Sequence, residues 1–112
     1  LATALATALS STLMAGAAVA QGQPAVIYDM GGKFDKSFNQ AAFNGAERWK
    51  KESGKNYLEF EISNPTQREQ AKRRMAERGA NPIVGIGFSQ GSSLEKVAKD
   101  FPKTQFAIID SV

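Results

Sequence analysis

Tyr28-Asp29-Met30-Gly31-Gly32-Lys33-Phe34-Asp35-Lys36-Ser37-Phe38-Asn39-Gln40 is the stretch whose reading decides the fold. It opens at the end of Ala25-Val26-Ile27-Tyr28, a short continuous apolar run that fits a buried parallel strand. Beyond it, apolar residues recur at Phe38, Ala42, Ala46 and Trp49, a helical stripe. Between strand and helix stand a carboxylate, Asp29, a Gly31-Gly32 turn, and Asp35. The Asp35 side chain can cap the helix by accepting hydrogen bonds from N–H groups of the next turn. Lys50 and Lys51 suit the last turn, where cations complement the helix dipole, and Gly54 can end it. A strand, a glycine turn and a helix in this order predict the first unit of an open α/β sheet. Such sheets bind small molecules outside the carboxyl ends of their strands.

The alternation continues outward from that unit. Leu58, Phe60 and Ile62 alternate with Glu59 and Glu61, which predicts a half-exposed strand near a sheet edge. Asn64-Pro65 offers a cap followed by proline at the first helical position. The helix that follows carries Arg68, Glu69, Lys72, Arg73, Arg74 and Glu77, with only Ala71, Met75 and Ala76 on its apolar side. Its charge run reads as a solvated face. Ile83-Val84-Gly85-Ile86-Gly87-Phe88 predicts a buried third strand, and Ser92 with Glu95 a capping box ahead of Leu94, Val97, Ala98 and Phe101. Pro102 stops that helix, and Phe106-Ala107-Ile108-Ile109 gives a fourth strand ended by Asp110. The expected fold class is α/β: a doubly wound parallel sheet with helices on both faces.

Composition narrows the chemistry. Residues 1–20 hold no charged residue and end in Ala18-Val19-Ala20, a small-x-small pattern before Gln21. They read as a signal peptide, truncated at its N-terminus, that precedes a partial lobe over residues 21–112. A retained membrane anchor is the rival reading of the same segment. The chain has no Cys and no His, which excludes disulfides, Ser-His-Asp and Cys-His catalysis and most zinc sites. Fourteen Lys and Arg against eleven Asp and Glu give a net charge of +3, interleaved rather than gathered, so nucleic acid is not an expected partner. No catalytic residue, metal ligand or cofactor is expected.

The strand ends carry the candidate site. Asp29, Phe88 and Asp110 follow the first, third and fourth strands, and Phe38 and Asn39 begin the first helix at the same edge. Carboxylates accept hydrogen bonds from sugar hydroxyls, aromatic rings stack on planar bases, and an amide both donates and accepts. Recognition of a flat, hydroxylated molecule is the chemistry this set suggests. Each residue also has a plainer reading: Phe38 and Phe88 as core or rim aromatics, Asn39 as a first-turn residue, and Asp29 and Asp110 as strand or turn ends. One further motif, Gly85-x-Gly87-x-x-x-Gly91 between a strand and a helix, suggests a nucleotide-dependent enzyme. Its spacing departs from Gly-x-Gly-x-x-Gly, and it follows the third strand rather than the first.

The Asp-Lys-Ser-Phe-Asn core of residues 35–39, with Gly45, Trp49 and the later strand ends, resembles the BMP/PnrA-like family of ABC-transporter substrate-binding proteins. The resemblance implies a type I periplasmic-binding-protein fold of two lobes closing on a ligand, with the first lobe incomplete here and the second absent. It implies reversible capture of a small molecule, a purine nucleoside first of all, for delivery to an ABC permease in the inner membrane. An exported sensor built on the same lobes is the alternative. Carried over by motif, Asp29, Phe38, Asn39 and Asp110 would be ligand contacts, Asp110 on the ribose and Phe38 against the base, with Phe88 beside them. Many relatives are lipoproteins; as no Cys follows the signal, a periplasmic protein without a lipid anchor is expected.

Overall fold

The structure, a computed structural model, describes residues 22–110. The segment read as a signal peptide therefore lies outside the described residues. Four strands, β1 (Ala25–Tyr28), β2 (Leu58–Glu61), β3 (Ile83–Ile86) and β4 (Phe106–Ile109), pair all-parallel in the order β2-β1-β3-β4. They alternate with α1 (Phe38–Ser53), α2 (Gln67–Glu77) and α3 (Gly91–Asp100). The parallel α/β sheet expected from the alternation is what forms. β2 lies at one edge, as its Glu59 and Glu61 require, because an edge strand keeps one flank in water.

Strand periodicity sends alternate side chains to opposite faces. Ala25, Ile27 and Ile83 face Ala71, Met75 and Ala76 of α2, with Ile62 and Ala80 closing the same cluster. Val26, Tyr28 and Ile86 face the other way, onto Ala42, Phe43 and Ala46 of α1. One helix covers that second face and two cover the first. Beside α1, an apolar groove of about 460 Å³ therefore lies open over Val26, Val84, Ile86 and Ile109. Phe38 and Trp49, placed on the buried stripe by their spacing, are 61% and 36% exposed, and Phe43 is the aromatic that packs inward.

Two helix starts differ from the expected caps. α2 begins at Gln67 rather than at Pro65: Asn64 accepts from the Thr66 N–H (3.1 Å), and Gln67 Oε1 reaches back to the Ser63 N–H (2.7 Å). The Ser92–Glu95 box does not form. β3 stops at Ile86, Gly87 turns with φ +99°, and a single 3-10 turn over Phe88–Gln90 leads into α3 at Gly91, one residue before the expected cap. Continuous 3-10 to α geometry supplies the first carbonyls and leaves Ser92 inside the helix. The Asp35 cap does form, with Oδ1 accepting from Ser37 (2.8 Å) and Gln40 (3.0 Å).

Gly85 sits in mid-strand because Gln90 folds over it. A Cβ at Gly85 would lie 3.1 Å from Gln90 Cβ. Gln90 cannot retreat, since its amide is bonded at both ends, from Nε2 to the Ile27 carbonyl (3.0 Å) and from Lys72 Nζ to Oε1. Gly85→Ala is expected to destabilise the fold by about 1–3 kcal/mol, the usual cost of overpacking a filled core. Urea denaturation monitored by circular dichroism measures it.

Candidate functional site

All five residues predicted for the site line one cleft at the carboxyl edge of the sheet. Asp29, Phe38, Asn39, Phe88 and Asp110 surround a hollow of about 180 Å³, with Met30, Asp35 and Gly87 between them. Small-molecule pockets commonly enclose about 300–1,000 Å³, so this is one wall of a cleft rather than a closed site. Phe38 and Phe88 are 61% and 62% exposed, two rings standing free at the rim. Neither serves as a core aromatic. Asp110 takes a left-handed backbone (φ +67°), a conformation Asp tolerates better than most residues, and lies exposed at the end of β4.

Asn39 is placed differently from its neighbours. It is 3% exposed, its Oδ1 accepts from the Asp29 N–H (3.1 Å), and its Nδ2 donates to the Asp29 carbonyl (2.9 Å). The amide thus completes the hydrogen bonding of a strand-end residue that has no further ladder partner. It ties the start of α1 to the end of β1 and leaves one Nδ2 hydrogen uncommitted. Asp35 secures the same loop from below. Desolvation pushes its carboxyl up, but backbone donors from Ser37, Gln40 and Asn39 outweigh that and hold it below the usual carboxylate range. Lys33 pins the loop's outer side: its N–H donates to Glu61 (2.9 Å), its ammonium meets Glu59, and it lies 5.0 Å from the Phe43 ring centre.

Two residues that support the cleft from outside its lining escaped the sequence. α2's charge run, read as a solvated face, turns Arg68 and Lys72 inward. Arg68 Nη2 and Nε both reach Asp29 Oδ1, at 2.9 and 3.0 Å. Lys72 is fully buried; its ammonium donates to the Arg68 carbonyl (3.2 Å) and to Gln90 Oε1. Their spacing from the apolar side was visible: Arg68 stands three residues before Ala71 and Lys72 four before Ala76, and residues three or four apart share a helix face. What hid them was the general rarity of buried lysine.

The glycine motif is absorbed by the same interior. Gly85 makes room for Gln90, and a Cβ at Gly87 would sit 3.4 Å from Asp29 Oδ2. Gly85 thus serves close packing and Gly87, with φ +99°, the turn out of β3, uses that call for no nucleotide.

An α/β lobe with a polar-aromatic wall at its strand ends defines a solute-binding class of protein, and comparison with known proteins agrees. The family of ABC transporter substrate-binding proteins described as PnrA-like matches residues 23–112. The chain belongs to that family, which is one of solute-binding proteins and not of enzymes. It is 41% identical over 91 residues to an uncharacterized lipoprotein of Pyrococcus furiosus, covering 78% of this chain and 22% of the relative. It is 34% identical over 92 residues to the ABC transporter nucleoside-binding protein BmpA of Lactococcus lactis, covering 79% and 26%. A solved solute-binding protein of an ABC transporter system from Aeropyrum pernix superposes with a TM-score of 0.75 at 32% identity, covering 81% and 25%. The chain thus spans about a quarter of the length of these three relatives. The expectation of a protein without a lipid anchor finds no support here, because relatives such as the Pyrococcus protein are named lipoproteins.

Lys72 gives the site a pH signature. Burial pushes its ammonium down to about 8, against the pull of Asp29 and aided by Arg68. Between pH 8 and the normal lysine range near 10.4, the folded state has released a proton that the unfolded chain still holds. The unfolded state then binds more protons, so stability rises with pH across that window. The stability difference between wild type and Lys72→Met is expected to shift in favour of wild type by about 1–2 kcal/mol from pH 7.5 to 9.5. Urea titrations of both proteins at the two pH values would show a flat difference if Lys72 titrated normally.

Proposed function

We propose that the protein is the substrate-binding component of an ABC importer, facing the outside of the cytoplasmic membrane and reversibly capturing a purine nucleoside for its permease. The observation that carries this reading is the meeting of two carboxylates, Asp29 and Asp110, with two free aromatic rings, Phe38 and Phe88, around one cleft. Carboxylates accept from ribose hydroxyls, and the rings offer flat apolar surface to a base. The naming of the Lactococcus relative as nucleoside-binding supports the same ligand class.

In this mechanism no bond is made or broken. The ligand's sugar lies on Asp110 and Asp29 and its base against Phe38 and Phe88, while Asn39 holds the Asp29 backbone and offers its remaining N–H. A second lobe completes the other wall, and closure around the ligand makes the surface that the permease reads. Each exposed hydrogen bond in the open wall contributes about 1 kcal/mol, so tight capture depends on closure excluding water.

Isothermal titration of the full-length protein with adenosine, guanosine and inosine tests the reading. Binding of at least one is expected, and NAD binding with no nucleoside binding would overturn it. Asp110→Ala is expected to weaken nucleoside affinity at least tenfold, about 1.4 kcal/mol. Unchanged affinity with an intact circular dichroism spectrum would remove Asp110 from the site.

A further inference from the structure

The Asp29 carboxylate has two oxygens in two different situations. Oδ1 receives both Arg68 contacts, Nη2 at 2.9 Å and Nε at 3.0 Å, and the paired side chains are only 20% and 18% exposed. Oδ2 receives no hydrogen bond among the described residues and lies beside Gly87, where an added Cβ would come within 3.4 Å of it. Arg68 does not line the ligand cleft. It lies on an adjoining polar hollow of about 320 Å³, with Thr66, Glu69, Ser89 and Lys96; Ser89 lines both hollows, Asp29 only the cleft. The guanidinium therefore reaches the carboxylate from outside the cleft lining.

A carboxylate on a short side chain can rotate and exchange its oxygens. Two charge-assisted bonds to one oxygen remove that freedom, and a planar guanidinium does this where a lysine ammonium cannot reproduce the fork. Arg68 is itself held, because its backbone carbonyl accepts from the buried Lys72, which is braced on Gln90. The Asp29 main chain is fixed independently by Asn39. Backbone and side chain of Asp29 are thus set by two different residues from two different helices.

We propose that Arg68 is a specificity-determining positioning residue of the cleft: it occupies Asp29 Oδ1 so that Oδ2 is the one acceptor offered to a ligand hydroxyl or N–H. The inference rests on the nucleoside reading of the cleft and adds to it a residue from outside the cleft lining. It separates Arg68 from a simple helix-to-sheet tie, because its effect on binding passes through the Asp29 carboxylate and nothing else.

A double-mutant cycle on the full-length protein distinguishes the two. Adenosine, guanosine and inosine are titrated into wild type, Arg68→Met, Asp29→Asn and the double variant, with Arg68→Lys as the conservative replacement and thermal melting as the check on folding. The expected result is a loss of about tenfold for Arg68→Met, a smaller loss for Arg68→Lys, and less than a twofold further loss when Arg68→Met is added to Asp29→Asn. Equal losses in both backgrounds, or unchanged affinity in Arg68→Met, would overturn the inference while leaving the nucleoside reading intact. Should Arg68→Met fail to fold, the Arg68→Lys cycle carries the same comparison. A wild type that binds none of the three nucleosides overturns the nucleoside reading, and the inference with it.

Discussion

Gln90 joins three elements through one amide. Its Nε2 donates to the Ile27 carbonyl in the central strand β1, its Oε1 accepts from Lys72 on α2, and its aliphatic stem packs on Gly85 of β3. Each bond is worth about 1 kcal/mol net, but losing one partner would strand a buried polar group at a cost of about 1–3 kcal/mol. The network is therefore more a constraint than a source of stability. It calls for no side chain at residue 85 and for a buried lysine on α2.

The cleft wall depends on that interior in an asymmetric way. Asp29 is held at the main chain by Asn39 and at the side chain by Arg68, whereas Phe38, Phe88 and Asp110 stand exposed at the rim. A rigid acceptor surrounded by exposed rings suits a surface that waits for a ligand and a second wall. Rings left in water lose little until something stacks on them, and the apolar area they then bury contributes at about 25 cal/mol per Å². The same logic explains why the loop of residues 30–37 is pinned by Asp35 and Lys33 rather than left free. A wall that had to order on binding would lose affinity to entropy.

Several misreadings have different sources. Phe38 falls on the helical stripe with Ala42, Ala46 and Trp49, yet Phe43 packs into the core beside Ala42 and Ala46 while Phe38 stands exposed. Ser92 and Glu95 have capping-box spacing, yet a 3-10 turn after Gly87 starts α3 one residue early. Arg68 and Lys72 have the composition of a solvated face, yet both turn inward. The early start of α3 comes from the turn just before it, whereas Arg68 turns inward to a partner remote in sequence.

The sequence by itself determined the alternation of strand and helix, the parallel sheet, the edge position of β2 and the gathering of Asp29, Phe38, Asn39, Phe88 and Asp110 at one sheet edge. Those follow from periodicity, turn residues and the fact that parallel strands all end on the same side. Only the tertiary structure decided that Asn39 faces the Asp29 backbone, that Gly85 makes room for Gln90, and that Arg68 pairs with the Asp29 carboxylate. Arg68 and Asp29 are 39 residues apart in the chain, and no local pattern encodes a partner at that distance. Their meeting depends on how α2 packs across the sheet, which the pooled burial of Ala71, Met75 and Ala76 sets and no single residue announces.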